Sequence, residues 1–370
     1  MYKRMSDMGL NTSCWYCTDE TINGGHDKQF GVNVKWDIPL LQGYDYQFFK
    51  NFSWNPSHFN GFLGLINFGL IKALFKIPKA VVVVHGWHYF TLLAALTLGR
   101  FRGHTVCLRC ELPLNQENLK RGWKQKIKRF GLKYILFPRV DFFLYIGKQN
   151  RLFYKSYGIA DQRLLFCPYS VDNARFQKDS ARLVNQGPSI RLRTGIPDSA
   201  KVIVFSAKYI EKKRPLDLLQ AFAKLNNENL WLIMVGEGEL RPVMEELIKK
   251  YNIKNVLLTG FVNQSNIAEY YSIADVFVMC SGLGETWGLS VNEAMNFDLP
   301  LVISDLSGCA SDLVTEGVNG YTFQTANVDS LVERIKSVLL DNTLTKRPSS
   351  IEVVTNYSYD TVARSLSTLI

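Results

Sequence analysis

Short apolar runs alternate with segments of helical periodicity through the second half of the chain. Strands buried on both faces are continuously apolar, whereas helices place apolar residues three or four positions apart. The predicted strands are Val202–Ser206, Leu230–Val235, Val256–Leu258, Val276–Cys280 and Leu301–Ile303, with helices at Pro215–Leu225 and Leu240–Tyr251. This alternation predicts a parallel sheet covered by helices, in which ligands bind at the carboxyl ends of the strands.

The first half repeats this pattern less regularly. Its predicted strands are Thr12–Tyr16, Ala80–Val84, Thr105–Leu108 and Phe142–Ile146, and its predicted helices are Trp87–Leu98 and Leu119–Leu136. The polar stretch Arg175–Pro197 suits an interdomain linker. We therefore predict an α/β protein with two Rossmann-like domains facing a cleft. Residues 1–180, joined by a C-terminal helix at 357–370, form the first domain, and residues 181–356 form the second.

Length and composition support this reading and exclude several classes of protein. A chain of 370 residues is long enough for two domains, and apolar residues at 47% exclude a disordered or collagen-like chain. Seven cysteines in this length give no disulfide framework and favour a reducing compartment. We predict no signal peptide and no transmembrane span, because His85, Gly86 and His88 interrupt the apolar stretch Val81–Gly99.

The charge is concentrated in the first half of the chain. Residues 1–180 contain 25 Lys and Arg against 12 Asp and Glu, although the whole chain has a net charge of only +10. This asymmetry indicates an anionic partner for the first half, either a membrane surface or a nucleic acid.

Two cysteine pairs have the spacing of zinc ligands. They are Cys14-x-x-Cys17 and Cys107-x-x-Cys110. Each pair lies on or beside a predicted strand, where residues three apart point to opposite faces. We therefore predict no metal site.

The segment from Asp275 to Phe323 is the richest in candidate chemistry. Glu285 precedes a predicted helix that starts near Leu289, and Glu293 lies about one turn inside that helix. Both carboxylates can face one cleft, while Gly288 allows a ligand to approach the backbone. Two isolated glutamates at such positions are more often an acid at a helix start and an exposed helical residue.

The wider motif set resembles the family 4 glycosyltransferases of GT-B fold. The resemblance runs from about Val202 to Val332. It is carried by Ala207-Lys208, Lys213-Arg214-Pro215, Val235-Gly236-x-Gly238, Gly260-Phe261-Val262, Glu285-Thr286-Trp287-Gly288-Leu289, Asn292-Glu293-Ala294-Met295 and Gly317-x-x-Gly320. In the first half, Gly31-x-x-x-x-Trp36-Asp37-Ile38-Pro39-Leu40-Leu41-x-Gly43-Tyr44 is similar to a subset of bacterial members.

The resemblance implies a donor site in the second domain. Glu285 would contact hydroxyls of the donor sugar, and Glu293 would hold the ribose hydroxyls of the nucleotide. Lys208 and Lys213 would stabilise the leaving diphosphate, with Lys208 where the family more often has arginine. The remaining nucleotide-sugar contacts would come from Trp287, Gly288, Leu289, Val262 and Gly236, with Trp287 where the family more often has phenylalanine.

The acceptor side is less sharply defined by the sequence. His85 follows one predicted strand, and Arg109 and Glu111 follow the next, at the edge where ligands are expected. Any of the three could orient an acceptor hydroxyl. A packed or helix-capping histidine is an equally good interpretation of His85.

A basic segment, Lys120–Lys133, surrounds Trp123, Ile127 and Phe130 with cations. These three apolar positions share one helical face, which is typical of a helix lying on anionic lipid. A helix packed on its own sheet, or a solvated basic helix, would show a similar pattern.

The resemblance implies a retaining hexosyltransferase that moves a sugar from a nucleotide-sugar to a glycan or lipid-linked acceptor, without a metal or other cofactor. The expected location is cytoplasmic, with peripheral attachment to the inner face of the cell membrane. The alternatives are a nucleotide-sugar 2-epimerase of the same fold and, among non-enzymes, a basic module that binds membranes or nucleic acid. With the transferase reading we expect no nucleic-acid partner.

Met1–Gly9 is predicted to be the end of a helix with no strand before it. Members of the family open with a strand, so we expect the first domain to lack its first strand. A late start would leave nucleotide binding intact and give a truncated, weakly active transferase.

Overall fold

The computed structural model describes residues 1–20, 22, 24–27, 31–340, 344–345 and 349–370. The chain divides into two compact units. The first comprises residues 1–24, 39–169 and 359–370, and the second comprises residues 25–38 and 170–358. Among the helices of the described residues, none combines the length and apolar character needed to cross a bilayer.

The second unit is built on a six-stranded parallel sheet. Its strands are β9 (Lys201–Ser206), β10 (Leu230–Val235), β11 (Val256–Leu258), β12 (Val276–Met279), β13 (Leu301–Ser304) and β14 (Gly320–Phe323). They follow the order β11-β10-β9-β12-β13-β14 across the sheet. This is the doubly wound arrangement that the alternating pattern predicts.

Helices accompany these strands along the second unit. They are α7 (Asn173–Leu183), α8 (Gly187–Thr194), α9 (Pro215–Leu225), α10 (Arg241–Lys250), α11 (Ile267–Ser272), α12 (Leu289–Met295), α13 (Ala310–Leu313), α14 (Val328–Leu339) and α15 (Ser350–Val354). The central strands are buried on both faces, so Ile203, Leu232 and Val278 join the apolar faces of α9 and α14 in one core. Continuous apolar strands are therefore explained by two-sided burial.

The first unit contains a four-stranded parallel sheet in the order β5-β6-β7-β8. These strands are β5 (Val81–His85), β6 (Thr105–Arg109), β7 (Phe142–Tyr145) and β8 (Leu164–Phe166). A separate parallel pair joins β1 (Ser13–Tyr16) to β4 (Asp45–Phe48). The α-helices of the first unit are α1 (Tyr2–Asp7), α2 (Phe68–Leu74), α3 (Phe90–Phe101), α4 (Leu114–Glu117), α5 (Trp123–Phe130), α6 (Lys148–Lys155) and α16 (Tyr359–Ser367).

The chain ends pack together on this first unit. Met5 of α1 and Val362 and Ala363 of α16 are buried with Leu144 of the sheet. Arg4 and Asp360 form an exposed ion pair between the two helices at 2.5 Å.

Residues 175–197, which the sequence analysis predicts to be an interdomain linker, are largely helical and lie within the second unit. They contain most of α7 and all of α8. Phe176 and Leu183 are buried in α7 and Ile190 is buried in α8. Each helix therefore buries so few residues that its apolar pattern is weak. The predicted boundary at residue 180 also lies inside the second unit, which additionally includes residues 25–38.

The second unit gains its extra segment from a short antiparallel hairpin. The hairpin consists of β2 (Gly25–Asp27) and β3 (Val32–Val34). Each of these strands has only three residues, so its sequence pattern is too short to predict a hairpin. A two-stranded hairpin is also stable only when it packs against other elements.

Candidate active site

A cavity of about 170 Å³ opens at the carboxyl ends of the central strands of the second unit. Ser206 ends β9 and Val235 ends β10, and both line this cavity, which we call the donor cavity. The other lining residues are Trp36, Ala207, Lys208, Gly236, Phe261, Val262, Gln264, Ile267, Ser290 and Glu293. The cavity therefore lies at the sheet edge where a parallel α/β fold places its ligands.

Glu293 supplies the carboxylate of the donor cavity. It lies in α12 and is only 8% exposed. The Tyr271 hydroxyl donates to its Oε2 at 2.8 Å, and the Gln264 amide donates to its Oε1 at 3.3 Å. Burial raises the pKa of Glu293 above its ordinary value, although these hydrogen bonds and Arg175 act in the opposite direction. The fold thus holds the carboxyl group of Glu293 in an environment that disfavours its ionisation.

Glu293→Gln should stabilise the folded chain at pH 8 relative to the wild type. Because the folded pKa of Glu293 is raised, its contribution to stability is fully present below the ordinary pKa of 4.5 and is lost as pH rises through the folded pKa. Glutamine does not titrate and still accepts from Tyr271. Urea unfolding at pH 5 and pH 8 should show a smaller loss of stability in the variant than in the wild type. An identical pH dependence in both proteins would contradict this expectation.

Glu285 and Lys213 form an ion pair beside α12. The Lys213 ammonium donates to Oε2 of Glu285, which is only 6% exposed. The loop before Glu285 is fixed to the loop of Lys213, because the Gly282 amide donates to the Lys212 carbonyl at 2.8 Å. The fold thereby holds Lys213 and Glu285, which are 72 positions apart, as one ion pair at the carboxyl edge of the sheet.

Lys208 is also paired with a carboxylate. Its ammonium contacts both oxygens of Asp27 in β2, at 3.1 and 3.0 Å. Lys208 lines the donor cavity, so Asp27 holds this cation at the cavity wall. Asp27 had no role in the sequence prediction, and its distance along the chain from Lys208 explains why.

Two glycines of the site have a local geometry that disfavours any other residue. A Cβ at Gly236 would lie 1.9 Å from the Ala207 carbonyl oxygen, so this position admits only glycine beside the neighbouring loop. Gly288 has φ of +109°, and a Cβ there would lie 2.7 Å from the Met279 side chain. Gly288 thus turns the chain from β12 into α12.

The remaining predicted donor residues have different environments. Trp287 is buried at 2% exposure, and its indole N–H donates to Asn292 Oδ1 at 2.8 Å. Its side chain therefore belongs to the core. Leu289, the first residue of α12, is 41% exposed. Val262 lines the donor cavity together with Gly236.

The three predicted acceptor residues lie in the first unit. His85 and Arg109 are directly paired in register at the ends of β5 and β6. Arg109 is 8% exposed, and its guanidinium donates to the Pro168 carbonyl at 3.2 Å and lies over the Tyr169 ring. Glu111 follows as an exposed residue. The fold brings His85 and Arg109 together, and their part in acceptor binding stays a prediction.

The cysteine pairs have no metal-binding geometry in the described parts of the chain. Cys14, Cys107 and Cys110 are buried free cysteines. Within those parts, no three His, Cys, Asp or Glu side chains are grouped so that they could hold a metal ion.

Besides Asp27, sequence reasoning missed several side chains of this site, among them Trp36, Gln264 and Tyr271. Trp36 lines the donor cavity, while Gln264 and Tyr271 position Glu293. The Trp36-Asp37-Ile38-Pro39 motif was a usable signal for the first of them. Gln264 and Tyr271 stand in segments without a distinctive spacing, so only the fold identifies them.

The part of the chain that holds this site is similar to known glycosyltransferases. Residues 188–352 match the family model described as glycosyl transferases group 1. An alpha-monoglucosyldiacylglycerol synthase of Acholeplasma laidlawii is 28% identical over 215 residues, which cover 56% of this chain and 52% of that protein. The chain spans about half the length of the curated relatives it matches first.

Solved structures show the same fold over most of the chain. The sucrose-phosphate synthase of Thermosynechococcus elongatus superposes with a TM-score of 0.65 at 15% identity, covering 100% of this chain and 90% of that one. Anabaena HepE in complex with UDP and glucose superposes with a TM-score of 0.63 at 15% identity, covering 88% and 86% of the two chains. The fold is therefore GT-B.

Proposed function

We propose that this protein is a retaining glycosyltransferase of family 4 that moves a sugar from a nucleotide-sugar to a glycan or lipid-linked acceptor. The observation that carries the proposal is the donor cavity, where Lys208 and the buried carboxylate of Glu293 face one space. This arrangement lies inside the region that matches the glycosyltransferase family. HepE, solved with UDP and glucose, makes UDP-sugars the first donors to test.

Each charged residue has a distinct role in the proposed reaction. The Glu293 carboxylate accepts hydrogen bonds from the ribose hydroxyls, and Lys208 and Lys213 stabilise the negative charge that develops on the leaving diphosphate. Glu285 contacts the sugar hydroxyls and orients Lys213. The two lysines supply the positive charge without a metal, although a lysine lacks the bidentate geometry of arginine.

The acceptor hydroxyl replaces the diphosphate at the anomeric carbon on the same face of the sugar. Its proton passes to an oxygen of the leaving diphosphate, so no side chain is required as the base. The backbone around Gly288 supports the sugar and diphosphate, and His85, Arg109 and Glu111 are the proposed acceptor-side residues.

A donor screen tests this function directly. UDP-, GDP- and ADP-sugars should be compared by thermal shift, because a ligand that binds the native state stabilises it by about 2.7 kcal/mol at one hundred times its Kd. One nucleotide series should raise the Tm of the wild type and lose that effect in Glu293→Gln. Incubation with donor alone should release no epimerised sugar, since such a product would identify a 2-epimerase. No Tm shift with any of these nucleotides would contradict the proposal.

We also propose that the first unit contacts the anionic inner face of the cell membrane through the basic segment Lys120–Lys133. In α5, Trp123, Ile127 and Phe130 are 67%, 62% and 60% exposed. These apolar side chains lie outside the core, so packing of α5 on its own sheet does not explain them. Cations around an exposed apolar face fit a lipid surface of negative charge. The relative named alpha-monoglucosyldiacylglycerol synthase supports a lipid acceptor.

A buried carboxylate anchors the basic segment to the first unit. Glu117 of α4 is 5% exposed and pairs with Lys128 at 2.6 Å, and the Lys120 ammonium contacts its other oxygen. Burial alone would raise the pKa of Glu117, but the hydrogen bonds from Lys120 and Lys128 lower it to about 2. Lys120 and Lys128 therefore hold the segment in place, and the other cations are the ones offered to lipid.

A further inference from the structure

The hairpin β2–β3 and the residues after it are fastened to the wall of the donor cavity. The Asn263 side-chain amide donates to the Lys35 carbonyl at 2.7 Å, and the Asp37 amide donates to Asn263 Oδ1 at 3.4 Å. The Ser265 amide and hydroxyl both donate to Asp37 Oδ2. At the other end of the hairpin, Asp27 pairs with Lys208. These hydrogen bonds therefore fix the backbone on both sides of residue 36.

That residue is Trp36, and its ring forms part of the donor cavity. The Trp36 ring meets the Phe261 ring edge to face, with centroids 6.2 Å apart and planes inclined at 63°. Trp36 keeps 37% of its surface exposed although it lines a cavity. An indole that is fixed at both backbone neighbours and still exposed presents a rigid aromatic surface at low entropic cost.

The donor cavity offers three kinds of chemistry, and a nucleoside diphosphate has three matching parts. Lys208 suits the diphosphate, and the Glu293 carboxylate suits the ribose hydroxyls. The nucleobase is the remaining part, and its flat π-face suits the aromatic lining of Trp36 and Phe261. The other apolar side chains of the lining, Ala207, Val235, Val262 and Ile267, have no π-face.

We propose that Trp36 is the aromatic wall of the nucleobase subsite, supplied to the donor cavity by the segment that follows β3. This inference rests on the proposed function, since it names the residue that binds the base of the nucleotide donor. It also assigns a role to a segment that lies outside residues 188–352, the region matched by the family model.

The test is calorimetric binding of UDP, GDP and ADP to the wild type and to variants. Trp36→Leu keeps apolar bulk and removes the π-face, and Trp36→Phe keeps a smaller π-face. For the nucleotide that the wild type binds best, we expect Trp36→Leu to weaken binding about tenfold, which corresponds to about 1.4 kcal/mol of stacking. Trp36→Phe should retain most of the affinity. Trp54→Leu is the matched control, since Trp54 is fully exposed in the first unit at 101%.

Pyrophosphate and the corresponding UDP-, GDP- or ADP-sugar separate the base from the other parts of the donor. Pyrophosphate lacks a base, so its affinity should be the same in wild type and Trp36→Leu. If Trp36 instead contacted the donor sugar, the variant would bind the nucleotide-sugar less well and the free nucleotide normally, which would overturn the inference.

The outcomes for Trp36 and for the proposed function are distinct. If the wild type binds a nucleotide and Glu293→Gln weakens that binding while a folded Trp36→Leu does not, the Trp36 assignment is overturned and the proposed function stands. If the wild type binds none of the three nucleotides, the proposed function fails and the nucleobase subsite with it. Near-ultraviolet circular dichroism of each variant shows whether its tertiary packing is retained.

Discussion

Glu285→Gln is expected to lower kcat for sugar transfer by about 100-fold or more, because misplacing groups at a reacting centre by 1 Å already costs about that much. The change removes the carboxylate that we propose contacts the donor sugar, and it also leaves the Lys213 ammonium without its charged partner. Lys213 can then move away from the diphosphate, whose charge develops in the transition state. The measurement is steady-state transfer at saturating donor and acceptor.

Stability and activity should separate in this experiment. Removing one partner of a buried ion pair costs about 3–5 kcal/mol, whereas replacing both partners with uncharged groups is often neutral. Glu285→Gln should therefore lower the Tm, and the double variant Glu285→Gln with Lys213→Met should recover part of it without recovering transfer. Asp329→Asn is the control, since it removes a carboxylate from the exposed pair of Lys224 and Asp329 in the same unit. A kcat for Glu285→Gln within threefold of wild type would contradict the assignment.

Replacing Lys124, Lys126 and Lys133 with glutamine should weaken binding to phosphatidylserine-containing vesicles by about 3 kcal/mol, at about 1 kcal/mol for each cation near the surface. Co-sedimentation should show this as a loss of about two orders of magnitude in the partition coefficient. Lys128 is left unchanged because it holds Glu117, so its loss would disturb the fold. Uncharged phosphatidylcholine vesicles should bind both proteins equally weakly.

A second triple variant controls for the change in net charge. Lys249, Lys250 and Lys254 are exposed in the second unit and outside the basic segment. Their replacement by glutamine removes the same charge and should change vesicle binding little. Equal losses in the two triple variants would show a general charge effect, and unchanged binding in the first would contradict the proposed membrane contact. Trp123→Ser with Phe130→Ser should weaken binding at high salt, where the apolar contribution remains.

The strands of the second unit and the core of its site could be read from the sequence. Leu230–Val235 and Val256–Leu258 were predicted with the bounds that the structure has, because strands buried on both faces must be apolar throughout. The sequence expectation for Glu293, Lys208 and Gly236 came from the family resemblance, and all three line the donor cavity. The apolar pattern of neighbouring residues was sufficient to predict these strands and the sheet edge at which ligands are expected.

Contacts between distant parts of the chain required the tertiary structure. Trp36 reaches the donor cavity because Asp37 and Lys35 bind Asn263, more than two hundred positions away. The pairing of Lys213 with Glu285 and the burial of α7 through Phe176 likewise depend on packing, which no local periodicity records. The exposure of Trp123 also required the structure. An apolar helical face has the same sequence pattern whether it packs on a protein core or lies on lipid. Sequence periodicity therefore determined which face of each element is apolar, and only the folded chain decided what each apolar or charged face meets, because burial is a property of long-range contacts.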